Sequence, residues 1–130
     1  MSLDADDMIE QSPVGTARQD KLADESLKRQ DADNRLTALD LSRSFIVQAP
    51  AGAGKTELLT QRYLGLLTTV ETPEQIVAIT FTRKAAAEMR NRILRRLELA
   101  AEPEPTIGHE RQTWKLARAA IHADRKHGWG

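Results

Sequence analysis

The chain has 130 residues, 40% of them hydrophobic, 29% charged and 4% aromatic, with 19 basic side chains against 19 acidic ones. That length suits one domain rather than two, and the absence of cysteine excludes a disulfide scaffold, a thiolate zinc site and a cysteine nucleophile together. No apolar run approaches the roughly 18–20 residues that cross a bilayer, and residues 1–11 lack the apolar stretch of a signal peptide, so the expectation is a cytoplasmic protein with no membrane partner.

The zero net charge conceals a gradient. Residues 1–40 hold 10 acidic and 5 basic side chains, residues 41–82 hold 3 of each, and residues 83–130 hold 11 basic and 6 acidic. The C-terminal third therefore has the charge for a basic face toward nucleic acid, although solvated helix surfaces account for it equally well.

Residues 1–32 are polar and acidic, with Pro13, Gly15 and no steady apolar period. They read as a mobile tail that becomes helical around residues 21–29. Leu36, Ala38, Leu39 and Leu41 predict a short helix or turn leading into Ser44-Phe45-Ile46-Val47-Gln48-Ala49. That apolar, β-branched run reads as a buried strand, broken by Pro50-Ala51-Gly52-Ala53-Gly54. A helix is predicted from residue 55 to 68 or 69, with Leu59, Tyr63, Leu66, Leu67 and Val70 along one side.

Thr72-Pro73-Glu74-Gln75 carries helix-start signals, but only one turn fits before Ile76-Val77-Ala78-Ile79-Thr80-Phe81, a second strand of buried-sheet type. Thr82 then caps a long helix over residues 83–101, with Ala86, Met89, Ile93, Leu97 and Ala100 on one face. Glu102-Pro103-Glu104-Pro105 ends it. A last helix is predicted over residues 113–124, with Trp114, Ala117 and Ile121 inward. Strand, helix, strand, helix in this order predicts an α/β fold of parallel strands joined by a right-handed crossover.

The richest stretch is Ala49-Pro50-Ala51-Gly52-Ala53-Gly54-Lys55-Thr56, between a predicted strand and a predicted helix. Glycines at 52 and 54 let backbone amides approach a phosphate, and the positive end of the helix adds to their pull. Lys55 would reach the β and γ phosphates, and the Thr56 hydroxyl would coordinate Mg²⁺. Ala49 stands where the phosphate-loop pattern usually begins with Gly. The plainer alternative is a Gly-rich turn with an exposed lysine.

Thr80-Phe81-Thr82-Arg83-Lys84 leaves the second predicted strand at the edge where a parallel sheet carries its ligands. Its hydroxyls and cations suit the phosphates of a single-stranded nucleic acid, and Phe81 offers a base a stacking surface. Taken alone, these residues favour a packing alternative: Phe81 in the core, Thr82 a helix cap and the cations solvated.

Together these stretches resemble the start of UvrD/RecB-type superfamily 1 DNA helicases. The first block is Ala49-x-x-Gly52-x-Gly54-Lys55-Thr56; this family's first motif commonly begins with Ala. The second is Ala78-Ile79-Thr80-Phe81-Thr82-Arg83-Lys84-Ala85-Ala86-Ala87-Glu88-Met89-Arg90, which is similar to motif Ia and the more specific of the two. Residues 44–50 and 57–64 most resemble exonuclease V-like proteins, the beta-subunit type of ATP-dependent exonuclease. The resemblance covers residues 33–96 and extends toward residue 130.

The resemblance implies residues 33–130 as part of a RecA-like P-loop NTPase domain that hydrolyses ATP with Mg²⁺ and translocates on single-stranded DNA. By it, Lys55 and Thr56 are catalytic, and Thr56 is the Mg²⁺ ligand. Ala49, Pro50, Ala51, Gly52, Ala53, Gly54, Lys55, Thr56, Glu57 and Arg35 hold the nucleotide, and Thr80, Phe81, Thr82 and Arg83 face DNA. Asn34 stands where a Gln usually reads adenine, and Glu57 where many relatives place Arg.

Such a motor also needs a strand ending in acidic residues, for Mg²⁺ and for the attacking water. No apolar run here ends in Asp-Glu. The expectation is the opening segment of a larger helicase or helicase-nuclease polypeptide, hydrolysing nothing alone, marginally stable or self-associating. The alternatives are a stand-alone nucleotide- or DNA-binding module, or a small P-loop kinase, which would need a lid. His109, His122 and His127 lack metal-ligand spacing and read as surface residues; Trp114 and Trp129 read as packing residues.

Overall fold

The computed structural model describes residues 13–48 and 54–130. The chain divides into two compact units, Met1–Leu36 and Thr37–Gly130.

The first unit is carried by α1 (Pro13–Ala38), whose last residues belong to the second unit. Helix therefore begins well before residue 21, where the sequence suggested a mobile tail. It is a solvated helix: Leu22, Leu27 and Leu36 are more than half exposed. Its support is local, from good helix formers and from i,i+4 ion pairs between Lys28 and Asp24 (2.7 Å) and between Arg35 and Asp31 (2.9 Å). Such exposed pairs lend the helix only modest support.

Among the described residues, the second unit packs three helices, α2 (Lys55–Leu67), α3 (Arg83–Leu99) and α4 (Gly108–His127), with one 3₁₀ turn at Pro73–Gln75. Each helix touches the other two. Leu64, Leu67, Ile93, Ala100, Ala117 and Ala120 form the buried core, with Tyr63, Ile76, Met89, Leu97, Leu116, Ile121 and Trp129 packed on it. Alanines at 117, 120 and 123 leave α4 thin enough for its neighbours to approach closely. Gly65 does the same on α2, where an added Cβ would lie 3.3 Å from Leu41 Cδ1.

The predicted α/β fold is overturned: among the described residues there is no strand and no sheet. Residues 44–48 and 76–80 have no regular secondary structure and no ladder partners. Ile46 is 92% exposed, Val77 77% and Ile79 90%, so only Ile76 of the second run reaches the core. A parallel sheet needs apolar cover on both faces and bonded neighbours for every strand. Here the buried core is made by the three helices packing on one another, and neither run finds a bonded neighbour. The parallel RecA-like arrangement and its right-handed crossover are accordingly absent from these residues.

The helices themselves follow their signals closely. Thr82 caps α3, its Oγ1 accepting from the Ala85 amide at 3.0 Å. Gln75 Oε1 accepts from the Glu71 and Thr72 amides at 2.8 and 3.3 Å, closing the one-turn segment. Met89, Ile93, Leu97 and Ala100 face the core as predicted, whereas Ala86 is exposed. On α2 Tyr63 and Leu67 face the core as predicted, but the stripe is rotated at the start of the helix: Leu58 and Leu64 are inside, and Leu59 is 51% exposed. The last helix is longer than predicted and ends at Gly128, whose φ of 69° is a left-handed cap. Trp114 donates to the Glu102 carbonyl at 2.9 Å, and Trp129 packs against the core while donating to the Glu71 carbonyl at 2.6 Å. Among the described residues no helix is long and apolar enough to cross a membrane.

Candidate phosphate-binding turn and its supports

Gly54 has φ 82° and ψ 21°, a left-handed conformation that glycine adopts freely and other residues rarely do. It turns the chain directly into α2, so the amides of Lys55, Thr56 and Glu57 lie at the positive end of that helix with no carbonyl of their own helix to bond. Lys55 and Thr56 are both exposed. The Gly54 carbonyl accepts from the Leu58 amide at 3.1 Å, and the Thr56 carbonyl from the hydroxyl of fully buried Thr60 at 2.7 Å. Ala49, Pro50, Ala51, Gly52 and Ala53 lie outside the described residues.

Glu57, assigned from the sequence to the nucleotide, turns its carboxylate toward α3 and α4. The Arg96 guanidinium lies 3.1 Å from Oε2 and that of Arg92 3.5 Å. Thr113 donates its hydroxyl to Oε1 at 2.8 Å and accepts from Gln61 Nε2 at 2.9 Å. The Glu57 side chain is 16% exposed and Thr113 1%. Polar groups so far from water need partners, and among the described residues no buried side-chain nitrogen or oxygen is left without one.

The chain entering the turn is held by Arg62 of α2. Its Nη1 donates to the carbonyls of Ala38 (2.7 Å) and Asp40 (3.1 Å), and its Nη2 to that of Arg43 (2.7 Å). Phe45 lies under two guanidinium groups, those of Arg43 at 5.4 Å and Arg62 at 5.6 Å. Arg35 lies on α1 in the first unit, with Nε bonded to Asp31 Oδ2 at 2.9 Å.

In the second motif, Thr80 Oγ1 donates to the Thr82 carbonyl at 3.1 Å and Thr82 serves as the cap of α3. Phe81 is fully exposed, so the packing alternative fails for its ring and holds for Thr82. Arg83 and Lys84 are exposed. Tyr63, Met89, Ile93, Trp129 and Thr80 line a cavity of about 670 Å³. His109, His122 and His127 are exposed. Among the described residues no group of His, Cys, Asp and Glu is arranged to hold a metal ion.

Sequence reasoning missed Arg92, Arg96, Gln61, Thr113 and Arg62. One signal was available: Glu57 and Gln61 are one turn apart on α2, as Arg92 and Arg96 are on α3, so each pair shares a helix face. What joins the two faces is tertiary packing across 39 to 56 residues.

A sequence model of the UvrD/REP helicase N-terminal domain matches residues 30–127. Among curated proteins, the chain is 43% identical over 99 residues to an ATP-dependent helicase/nuclease subunit of Moorella thermoacetica, covering 72% of this chain and 7% of that protein. It is 43% identical over 82 residues to the protein of the same name from Desulforamulus reducens, covering 60% and 7%. The Clostridium beijerinckii protein of that name is 36% identical over 94 residues, covering 68% and 8%. The chain thus spans less than a tenth of the length of these relatives. No solved structure matches it. With three quarters of its residues inside the matched region, the chain belongs to the UvrD/REP helicase N-terminal domain family.

Proposed function

We propose that this chain is the nucleotide-binding and DNA-facing opening of an ATP-dependent DNA helicase that moves along single-stranded DNA together with the remainder of its polypeptide. The observation that supports this most is the left-handed Gly54 at the start of α2, with Lys55 and Thr56 exposed on the first turn. Amides at a helix start, an ammonium and a hydroxyl fit a triphosphate with Mg²⁺, an ion that takes few protein ligands and keeps phosphate oxygens and waters. Bound there, ATP would supply the free energy for movement through loss of its γ phosphate. Lys55 would hold charge against the β and γ phosphates, and Thr56 Oγ1 would be the metal ligand.

Thr80, Phe81, Thr82 and Arg83 form the DNA-facing loop in this reading, with Phe81 stacking on a base. Its full exposure supports that role. Phosphoryl transfer further needs a carboxylate pair that no apolar run of this sequence supplies. At most weak binding, without turnover, is therefore expected of the 130 residues alone.

Measuring ATP hydrolysis with and without single-stranded DNA, for this chain and for a longer protein continuing past Gly130, tests the proposal. DNA-stimulated turnover only by the longer protein, abolished by Lys55→Ala, is expected. No turnover by the longer protein would refute the motor; turnover by the short chain would refute its dependence on further residues.

A further inference from the structure

We propose that Arg96 and Thr113 are positioning residues for Lys55 and Thr56, acting through Glu57. The inference rests on the reading of Lys55 and Thr56 as the phosphate and metal groups. Glu57 directly follows Thr56 on the first turn of α2. Its carboxylate is clamped from two other helices at once: Arg96 of α3 at 3.1 Å and Thr113 of α4 at 2.8 Å. Gln61, one turn further along α2, donates to the same Thr113 hydroxyl at 2.9 Å. The first two turns of α2 are thus pinned in direction and in rotation about their axis. Rotation is what decides where Lys55 and Thr56 point.

Three features separate this clamp from an ordinary surface ion pair. Glu57 and Arg96 have side chains 16% and 25% exposed, so their attraction is less screened than that of an exposed pair. The Thr113 hydroxyl lies between two groups of α2, 2.8 Å from Glu57 Oε1, the shorter of its two acceptors (the His109 carbonyl is at 3.1 Å), and 2.9 Å from Gln61 Nε2, from which it accepts. The clamp also closes at the end of α2 that carries Lys55 and Thr56, where a displacement of the helix start is felt most. A binding constellation works only when the groups behind it hold it in place.

The test is titration of the full chain with Mg²⁺ and a fluorescent N-methylanthraniloyl ATP, alongside circular dichroism melting of each variant. Glu57→Gln and Arg96→Gln are each expected to weaken binding about 3- to 30-fold, the range in which residues off the ligand modulate a site. Because Arg96 acts through Glu57, the double variant should lose no more than the weaker-binding single one. Thr113→Val should weaken binding and Thr113→Ser restore it; Arg96→Lys should retain part of it, which covers the case in which Arg96→Gln unfolds.

Unchanged affinity in Arg96→Gln and Thr113→Val overturns the proposal. So does a double variant whose loss is the product of the two singles, since Arg96 would then act independently of Glu57. Lys55→Ala separates the levels: unaltered binding in that variant, or none by the unmodified chain, refutes the phosphate-site reading itself. Loss in Lys55→Ala with no effect at Arg96 or Thr113 refutes only the clamp.

Discussion

Arg62 donates to the carbonyl of Arg43 at 2.7 Å across a sequence separation of 19 residues, and that bond is one of three by which a single guanidinium gathers residues 38–43. Three backbone carbonyls face one cation in a geometry that only a planar fork can serve. Arg62→Lys keeps the charge and most of the stem but has no fork. It should destabilise the chain by about 1.5–3 kcal/mol, the range for hydrogen bonds to a charged group. Urea unfolding measures this, and faster amide exchange confined at first to residues 38–45 would locate it.

How much of this could be read from residues alone divides along the range of the interactions. Thr82, Gln75 and the Met89–Ile93–Leu97 stripe act within one or two turns of their own chain, so spacing is sufficient to place them. The runs at 44–49 and 76–81 carry a strong strand signature, yet strands exist only where neighbours bond and cover them, and no local pattern states whether neighbours are present. The same limit hid the surroundings of Glu57: the family resemblance assigned it to the nucleotide, while Arg96 and Thr113 reach its carboxylate from helices far along the sequence.

The rotated stripe of α2 makes a direct comparison possible. Leu64 is completely buried at the meeting of the three helices, and its replacement by Ala should cost about 2–5 kcal/mol through lost burial and the cavity left behind. Leu59 is 51% exposed, and Leu59→Ala should stay within about 0.5 kcal/mol. Chemical denaturation of both variants decides between this orientation of α2 and the one its apolar spacing suggested.

Acid should act on the Asp40 turn in a defined direction. The Ser42 hydroxyl donates to Asp40 Oδ1 at 2.6 Å and the Ser42 amide at 3.0 Å, and both bonds hold the carboxyl below its ordinary value of 3.8. A carboxyl with a depressed pKa favours the folded state above its unfolded value. That contribution is lost as pH falls through the lower folded value. Ser42→Ala should therefore move the Asp40 titration upward toward 3.8, followed by NMR of the side-chain carboxyl.

Ile46, Val77, Ile79 and Phe81 all face water on runs with unpaired backbone, which is the combination that drives strand-edge association. The chain should self-associate with rising concentration in sedimentation velocity. Val77→Thr with Ile79→Lys should shift it to monomer without lowering its melting temperature, because neither side chain contributes to the helical core. Concentration-independent monomer in the unmodified chain would refute this expectation.

Phe81 allows stability and binding to be separated cleanly. Its ring is fully exposed and buries nothing, so Phe81→Ala should leave the melting temperature unchanged. On the proposed DNA-facing role, removing a stacked aromatic should weaken binding of a labelled oligothymidine about 5- to 150-fold, the range for one base stacked on a side chain. Thr82→Ala gives the opposite pattern: loss of the α3 cap should cost about 1 kcal/mol of stability. If Phe81→Ala binds the oligonucleotide as tightly as the unmodified chain, Phe81 is not part of the DNA surface. A fall in melting temperature instead would mean that the ring packs somewhere in solution, contrary to its exposure here.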